Sequence, residues 1–313
     1  MTAIGVDPKT RVLLDMIAAL GAPPLSETTP QQFREMRARS RDLLNAPTAP
    51  VAIVRDETVE GGAGPIKARL YDVEDGATRP TLVYFHGGGF VFGDLDSHDA
   101  LCRRLALAVR IRVFAVDYGL APEDPFPAAP DDAWAAFNDI AARFQRFGVD
   151  PRRMALGGDS AGANLATVTA RRAAQAGAPL VRFQLLFYPV TQSSHSTPSR
   201  ELYADGYFLT RETIDWFDGH YLPAEVDRRD ERISPLLTPP PANLAPALVV
   251  TAGFDPLKDE GRAYAEALEA AGVPVRHVDY PDQIHGFASF TAFSSVADQA
   301  IADAARAVAE ALG

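Results

Sequence analysis

The stretch Met154-Ala-Leu-Gly-Gly-Asp-Ser-Ala-Gly-Ala-Asn-Leu-Ala166 decides how the rest of the chain is read. It begins as a short apolar run at 154–156 with strand character and ends in a helical pattern that continues to 176. Between them lies Gly158-Asp-Ser-Ala-Gly162, a strand–turn–helix corner. A serine hydroxyl is a weak nucleophile, and a tight turn lifts it clear of a sheet to where a base can reach it. Glycines flank the serine because side chains there would collide with the neighbouring strand and helix. Taken alone the pattern is weak, since a glycine-rich turn with an incidental serine would look the same.

A second motif changes that balance. His86-Gly-Gly-Gly-Phe90 follows directly on the strand-like run 81–85. Consecutive glycines let backbone N–H groups point into a cavity as a preorganised site for a developing oxyanion. Gly88 and Gly89, with the amide of Ala161 after the serine, make a three-donor set, and His86 is expected to hold the loop by hydrogen bonds. A phosphate cradle would more naturally carry a lysine or open a helix.

If the chain follows the α/β-hydrolase order, an acid and then a histidine must come after Ser160. Of the six histidines, His98, His195 and His220 fall in helical or inserted segments, His86 belongs to the glycine loop, and His277 lies within a strand pattern. His285 stands in a loop between the strand at 275–280 and the last helix, where a base can swing over the sheet edge. Asp255 follows the strand at 247–251 and is the expected acid, with Asp282 the second choice; Asp259 and Glu260 are expected to serve a helix N-terminus.

Outward from these motifs the texture is regular. Strand runs at 81–85, 113–117, 154–156, 183–188, 247–251 and 275–280 alternate with helical segments at 97–110, 131–147, 160–176, 259–271 and 296–312. Several runs are apolar throughout, as strands buried on both faces are. The alternation predicts an α/β fold with a mostly parallel sheet of about eight strands flanked by helices. The segments near 52–58 and 67–72 alternate better and predict an antiparallel edge hairpin. Two helices, 10–20 and 29–44, precede the core. The segment 191–223, rich in Ser, Thr and aromatics, is too long for a crossover and predicts a helical insertion over the sheet's carboxyl edge. The expected division is 1–50 and 191–225 as cap, with 51–190 and 226–313 as core.

The 313 residues carry 30 Lys plus Arg against 41 Asp plus Glu, a net charge of −11, with no basic run. Nucleic acid is therefore not an expected partner. A single cysteine, Cys102, cannot make an intrachain disulfide, so stability rests on a packed core in which Cys102 is one small residue. No uninterrupted apolar stretch is long enough to span a membrane, and the apolar 12–20 segment is broken by Asp15, so a soluble cytoplasmic protein is expected.

The residues together resemble the hormone-sensitive lipase family of esterases (bacterial family IV), in its GDSAG branch. The resemblance covers nearly the whole chain: HGGGF at 86–90, DYGLAPEDPFPAA at 117–129, GDSAGANLA at 158–166, DPLKDEG at 255–261 and HGF at 285–287 occur in family order. It implies an α/β-hydrolase core with Ser160 as nucleophile, Asp255 as acid and His285 as base. Gly88, Gly89 and Ala161 would be the oxyanion-hole donors, under a helical cap, with no metal or cofactor. Substrates would be small esters of short to medium acyl chains. Relatives often dimerise through the last strand and helix, here 275–312, although oligomeric state stays open. Gly119 and Asp124 stand where the family often has Arg and His, removing an ion pair, and Ala163 replaces a frequent glycine.

Phe208, Trp216 and Phe217 in the insertion, with Phe90 and Tyr188, are candidates to line the substrate pocket, against the plainer reading that the insertion's aromatics simply pack the cap. Two other functions are weighed. Receptors on the same scaffold hold a ligand without catalysis, but such a protein has no need of His285 beside Ser160 and Asp255. Amide or lactone hydrolysis uses the same groups, and the motifs do not separate it from ester hydrolysis.

Overall fold

The apolar runs become eight strands of one sheet in the computed structural model, which describes residues 5–21, 23–74, 76, 78–178 and 180–313. They are β1 (Ile53–Glu60), β2 (Pro65–Asp72), β3 (Arg79–Phe85), β4 (Arg112–Asp117), β5 (Val149–Asp159), β6 (Phe183–Phe187), β7 (Ala247–Phe254) and β8 (Val275–Ile284). Their order is β1-β2-β4-β3-β5-β6-β7-β8. β1 pairs antiparallel with β2, and β2 with β4; every later pairing is parallel. The expected edge hairpin is therefore present.

The two-residue period of a strand sends alternate side chains to opposite layers. Val83 and Phe85 of β3 join a core with the helices Ala128–Ala142, Ala161–Ala176 and Lys258–Ala270. Leu82 and Tyr84 face the other layer, formed by Asp99–Val109 and Ala297–Leu312. In the last helix Ala297, Ala300, Ala304 and Ala305 are all buried, so small side chains bring it close to the sheet. Cys102 is fully buried in that same layer.

Element boundaries differ most from the pattern-based reading in three places. β5 reaches back to Val149 through Pro151, where the register with β3 shifts and no ladder bond from residue 151 is needed. β8 runs on through Pro281 to Ile284, past an irregularity in its pairing with β7. The segment 131–147 is two helices, Ala128–Ala142 and Phe144–Phe147, parted at Arg143.

Before the core lie the helices Pro8–Leu20 and Pro30–Leu44. The second opens with a capping box, Thr29 and Gln32 each satisfying the other's backbone N–H, and with proline in its first turn. The insertion holds the helices Pro198–Leu202 and Arg211–Tyr221. Phe33 joins the two parts, its ring 5.2 Å from Trp216 and 5.8 Å from Phe217.

Glu260 corrects an expectation. It is fully buried and ion-paired to Arg200 at 2.8 Å, and it accepts from the Thr191 amide at 2.9 Å. Asp259 accepts from the Ser199 amide at 2.8 Å. Both carboxylates sit in the first turn of Lys258–Ala270, but they also fasten the insertion to it.

Candidate active site

β5 ends at Asp159, and the helix Ala161–Ala176 starts one residue after Ser160. Ser160 takes φ 55° and ψ −119°, a strained conformation for a residue with a side chain. The corner is held by Ser160 N–H donating to the Phe187 carbonyl at 2.9 Å. It tolerates no side chain at 162: a Cβ there would lie 1.9 Å from the Phe85 oxygen.

His285 directly follows β8 rather than standing in a free loop, because that strand is longer than the sequence pattern implied. Its Nε2 lies 2.9 Å from Ser160 Oγ, and its Nδ1 lies 2.8 Å from Asp255 Oδ2. Asp255 is fully buried after β7, and its other oxygen accepts from the Leu257 amide at 2.8 Å. Asp282 does not reach the imidazole; its side chain accepts from Gln283. Three residues widely separated in sequence thus form one hydrogen-bonded line from acid to hydroxyl.

Gly88 and Gly89 line the same cavity as Ser160 and His285, which encloses about 210 Å³. Gly88 takes φ 131°, and a Cβ there would lie 1.9 Å from the Phe92 oxygen. Ala161 opens its helix, where the first N–H groups have no intrahelical acceptor. Phe90, Phe208 and Phe217 also line the cavity. Tyr188 and Trp216 are not among its walls. Tyr188 is buried against the His285 ring at 4.8 Å, and Trp216 packs on Phe33 and His220.

His86 Nδ1–H donates to the Gly87 carbonyl at 2.8 Å, and its ring stacks on Tyr118 at 4.4 Å. Burial pushes its pKa down to about 4, with His98 adding to the effect, so the ring is neutral at physiological pH. His277 bonds Thr251 at 2.9 Å, and His195 and His220 make local contacts within the insertion.

Sequence reasoning missed Asp159. Its buried carboxylate accepts from Tyr84 Oη–H at 2.9 Å and the Gly87 amide at 3.0 Å, and it lies 3.1 Å from His98 Nε2. Burial alone would raise its pKa; His98 and the Tyr84 hydrogen bond outweigh that and hold it below the ordinary value. One carboxylate therefore ties the serine corner to the glycine loop. The only available signal was its position inside the serine motif.

A family profile described as alpha/beta hydrolase fold matches residues 82–289. The carboxylic ester hydrolase LipN of Mycobacterium tuberculosis is 42% identical over 292 residues, covering 90% of this chain and 77% of that protein. The ethyl acetate hydrolase of Pseudomonas putida is 42% identical over 273 residues, covering 87% and 86%. The solved structure of the ester hydrolase EH1AB1 from the Lake Arreo metagenome, in complex with a bipyridine phosphonate derivative, superposes with a TM-score of 0.93. It is 43% identical, covering 97% of this chain and 98% of that one.

Proposed function

The chain belongs to the α/β-hydrolase-fold family, in its hormone-sensitive-lipase-like group of carboxylesterases, and from that premise we propose that it is a serine carboxylesterase for short- to medium-chain esters. The observation that carries this reading is the unbroken hydrogen-bonded line Asp255–His285–Ser160 at the wall of a cavity. His285 Nε2 takes the hydroxyl proton as Ser160 Oγ attacks the ester carbonyl carbon, and Asp255 stabilises the imidazolium. The oxyanion then receives the N–H groups of Gly88, Gly89 and Ala161. As the C–O bond to the alcohol breaks, the imidazolium protonates the leaving oxygen. Water activated by His285 repeats the cycle and frees the acid from Ser160.

The 1–50 and 191–225 segments act as the cap that closes the site, supported by the Phe33 contacts and by Arg200–Glu260. Among the described residues no helix is long and apolar enough to cross a membrane. A cytoplasmic setting is proposed on the single buried cysteine and a fold held by its core. Pairing of two copies along β8, the edge strand, is the proposed route to a homodimer.

Ser160→Ala should cut p-nitrophenyl butyrate hydrolysis by about 10³-fold or more while leaving the circular dichroism spectrum unchanged. A serine-directed phosphonate should label the wild type one to one at Ser160. Full turnover in the alanine variant, or absence of labelling, would overturn the assignment and favour a receptor. Matched amide and lactone substrates should turn over more slowly than the ester.

A further inference from the structure

The N-terminal helix Pro30–Leu44 presents three arginines, Arg34, Arg37 and Arg41, to the same cavity that Ser160 lines. Two of them are answered. Arg34 is ion-paired to Glu123 at 2.7 Å and donates to the Val91 and Ala121 carbonyls, both at 2.8 Å. Arg41 pairs with Asp96 at 3.2 Å.

Arg37 differs from both. Among the described residues it has no carboxylate or carbonyl partner, and its Nε is buried with no hydrogen bond. Its guanidinium carbon instead sits 4.8 Å from the Phe208 ring centre, 5.0 Å from Phe33 and 5.6 Å from Phe92. Ring faces attract a cation, but they do not accept its in-plane N–H groups as a carboxylate does. Burial lowers its pKa to about 10, which leaves it charged at neutral pH. A partly buried cation held by rings at the wall of a largely apolar chamber, with no protein acceptor on its guanidinium among the described residues, is preorganised to take an anion on its more accessible Nη groups. In such a setting a planar bidentate acceptor is favoured over water.

We propose that Arg37 binds a free carboxylate at the far end of the substrate, so that the preferred esters are half-esters of dicarboxylic acids. This deepens the esterase reading and rests on it for the reaction at Ser160. The chemistry at the ester carbonyl is unchanged. Arg37 acts on binding, through the acid terminus, and the length of the chain between the two carboxyl carbons decides whether both ends are satisfied together.

The test uses the full chain and a series of monomethyl esters of succinate, glutarate, adipate and suberate. Each is compared with the methyl ester of the straight-chain monoacid of equal carbon number. One length should show a ratio of kcat/KM, acid over neutral, well above unity, with the advantage in KM. Arg37→Gln should lower that ratio by about 10-fold or more, and Arg37→Lys should restore part of it. Binding of the same half-ester to Ser160→Ala, by calorimetry, should weaken to match when Arg37→Gln is added. A ratio at or below unity at every length would overturn the proposal. So would an Arg37→Gln variant that slows both members of a pair equally, which would make the aromatic cage a clasp for the helix and nothing more. Because the calorimetry requires no turnover, Arg37-dependent binding without hydrolysis of any ester would sink the Ser160 reading and leave the anion site standing.

Discussion

Asp159 shows how one residue can govern a site without touching the reacting atoms. It is a positioning residue: its contacts go to Tyr84, Gly87 and His98, and through Gly87 it sets where the next two amides point. Asp159→Asn keeps the shape but removes the charge that His98 answers and replaces an acceptor oxygen with a donor group. Removing an oxyanion donor outright costs about 10²–10³ in kcat. A donor displaced rather than lost should cost less, about 10–100-fold in kcat. KM for p-nitrophenyl butyrate should change less than about 3-fold, since Asn has nearly the size of Asp and the apolar walls Phe90, Phe208 and Phe217 stay in place. A fall expressed mainly in KM would mean that Asp159 shapes the pocket instead.

At the scale of elements, Phe33 links the N-terminal helix to the insertion, beside the Arg37–Phe208 contact. Its ring is 2% exposed and meets Phe92, Trp216 and Phe217 together. Phe33→Ala should cost about 3 kcal/mol, the usual scale for emptying an aromatic core position. The loss should appear as earlier proteolysis within residues 5–50 and a raised KM, with kcat on the shortest ester changed less, because the line Asp255–His285–Ser160 is built on β5, β7 and β8. Those strands explain what was legible in the sequence. Apolar runs buried on both faces and the glycine-flanked serine have local signatures, so the sheet and Ser160 could be read directly, while Asp255 and His285 followed from chain order, with Asp282 left as a second choice for the acid. Strand ends at Pro151 and Pro281 could not, because proline there is permitted by pairing irregularities that exist only between strands. Asp159 with His98, and the role of Glu260, were hidden for a related reason. Each carboxylate finds its partner across the fold, and His98, at the start of the helix Asp99–Val109, looks like any helix-flanking residue. Trp216 and Tyr188 show the converse: aromatic character marked them as pocket candidates, whereas side-chain direction turned them to packing.

At the scale of the whole molecule, two shifted titrations act on stability with opposite sign in overlapping windows. His86 titrates at about 4 in the folded chain and about 6.5 unfolded, so the unfolded state binds more protons between those values. Stability from this group is complete above about pH 6.5 and is lost as pH falls towards 4. Asp117 is the reverse. Burial, reinforced by Asp94, raises its carboxyl to about 6, above the unfolded value near 3.8. Its ionisation therefore weakens the fold as pH rises from about 4 to 6, and the cost persists above that. Asp117 is partly exposed, so solvent screening discounts its share, while the enclosed His86 keeps its own. Of these two groups His86 dominates, and acidification from pH 6.5 to 4 should destabilise the protein. Asp117→Asn separates the two terms. It removes a carboxylate that is costly only when charged, in a chain already at a net charge of −11. The urea midpoint at pH 8 should therefore rise by the equivalent of about 1 kcal/mol. The gain should shrink through pH 6 and be gone at pH 4, where the wild-type carboxyl is itself protonated. A gain of equal size at both pH values would assign the effect to packing rather than charge, and a loss at pH 8 would mean that Lys67 and Arg69 make the ionised carboxylate a net stabiliser.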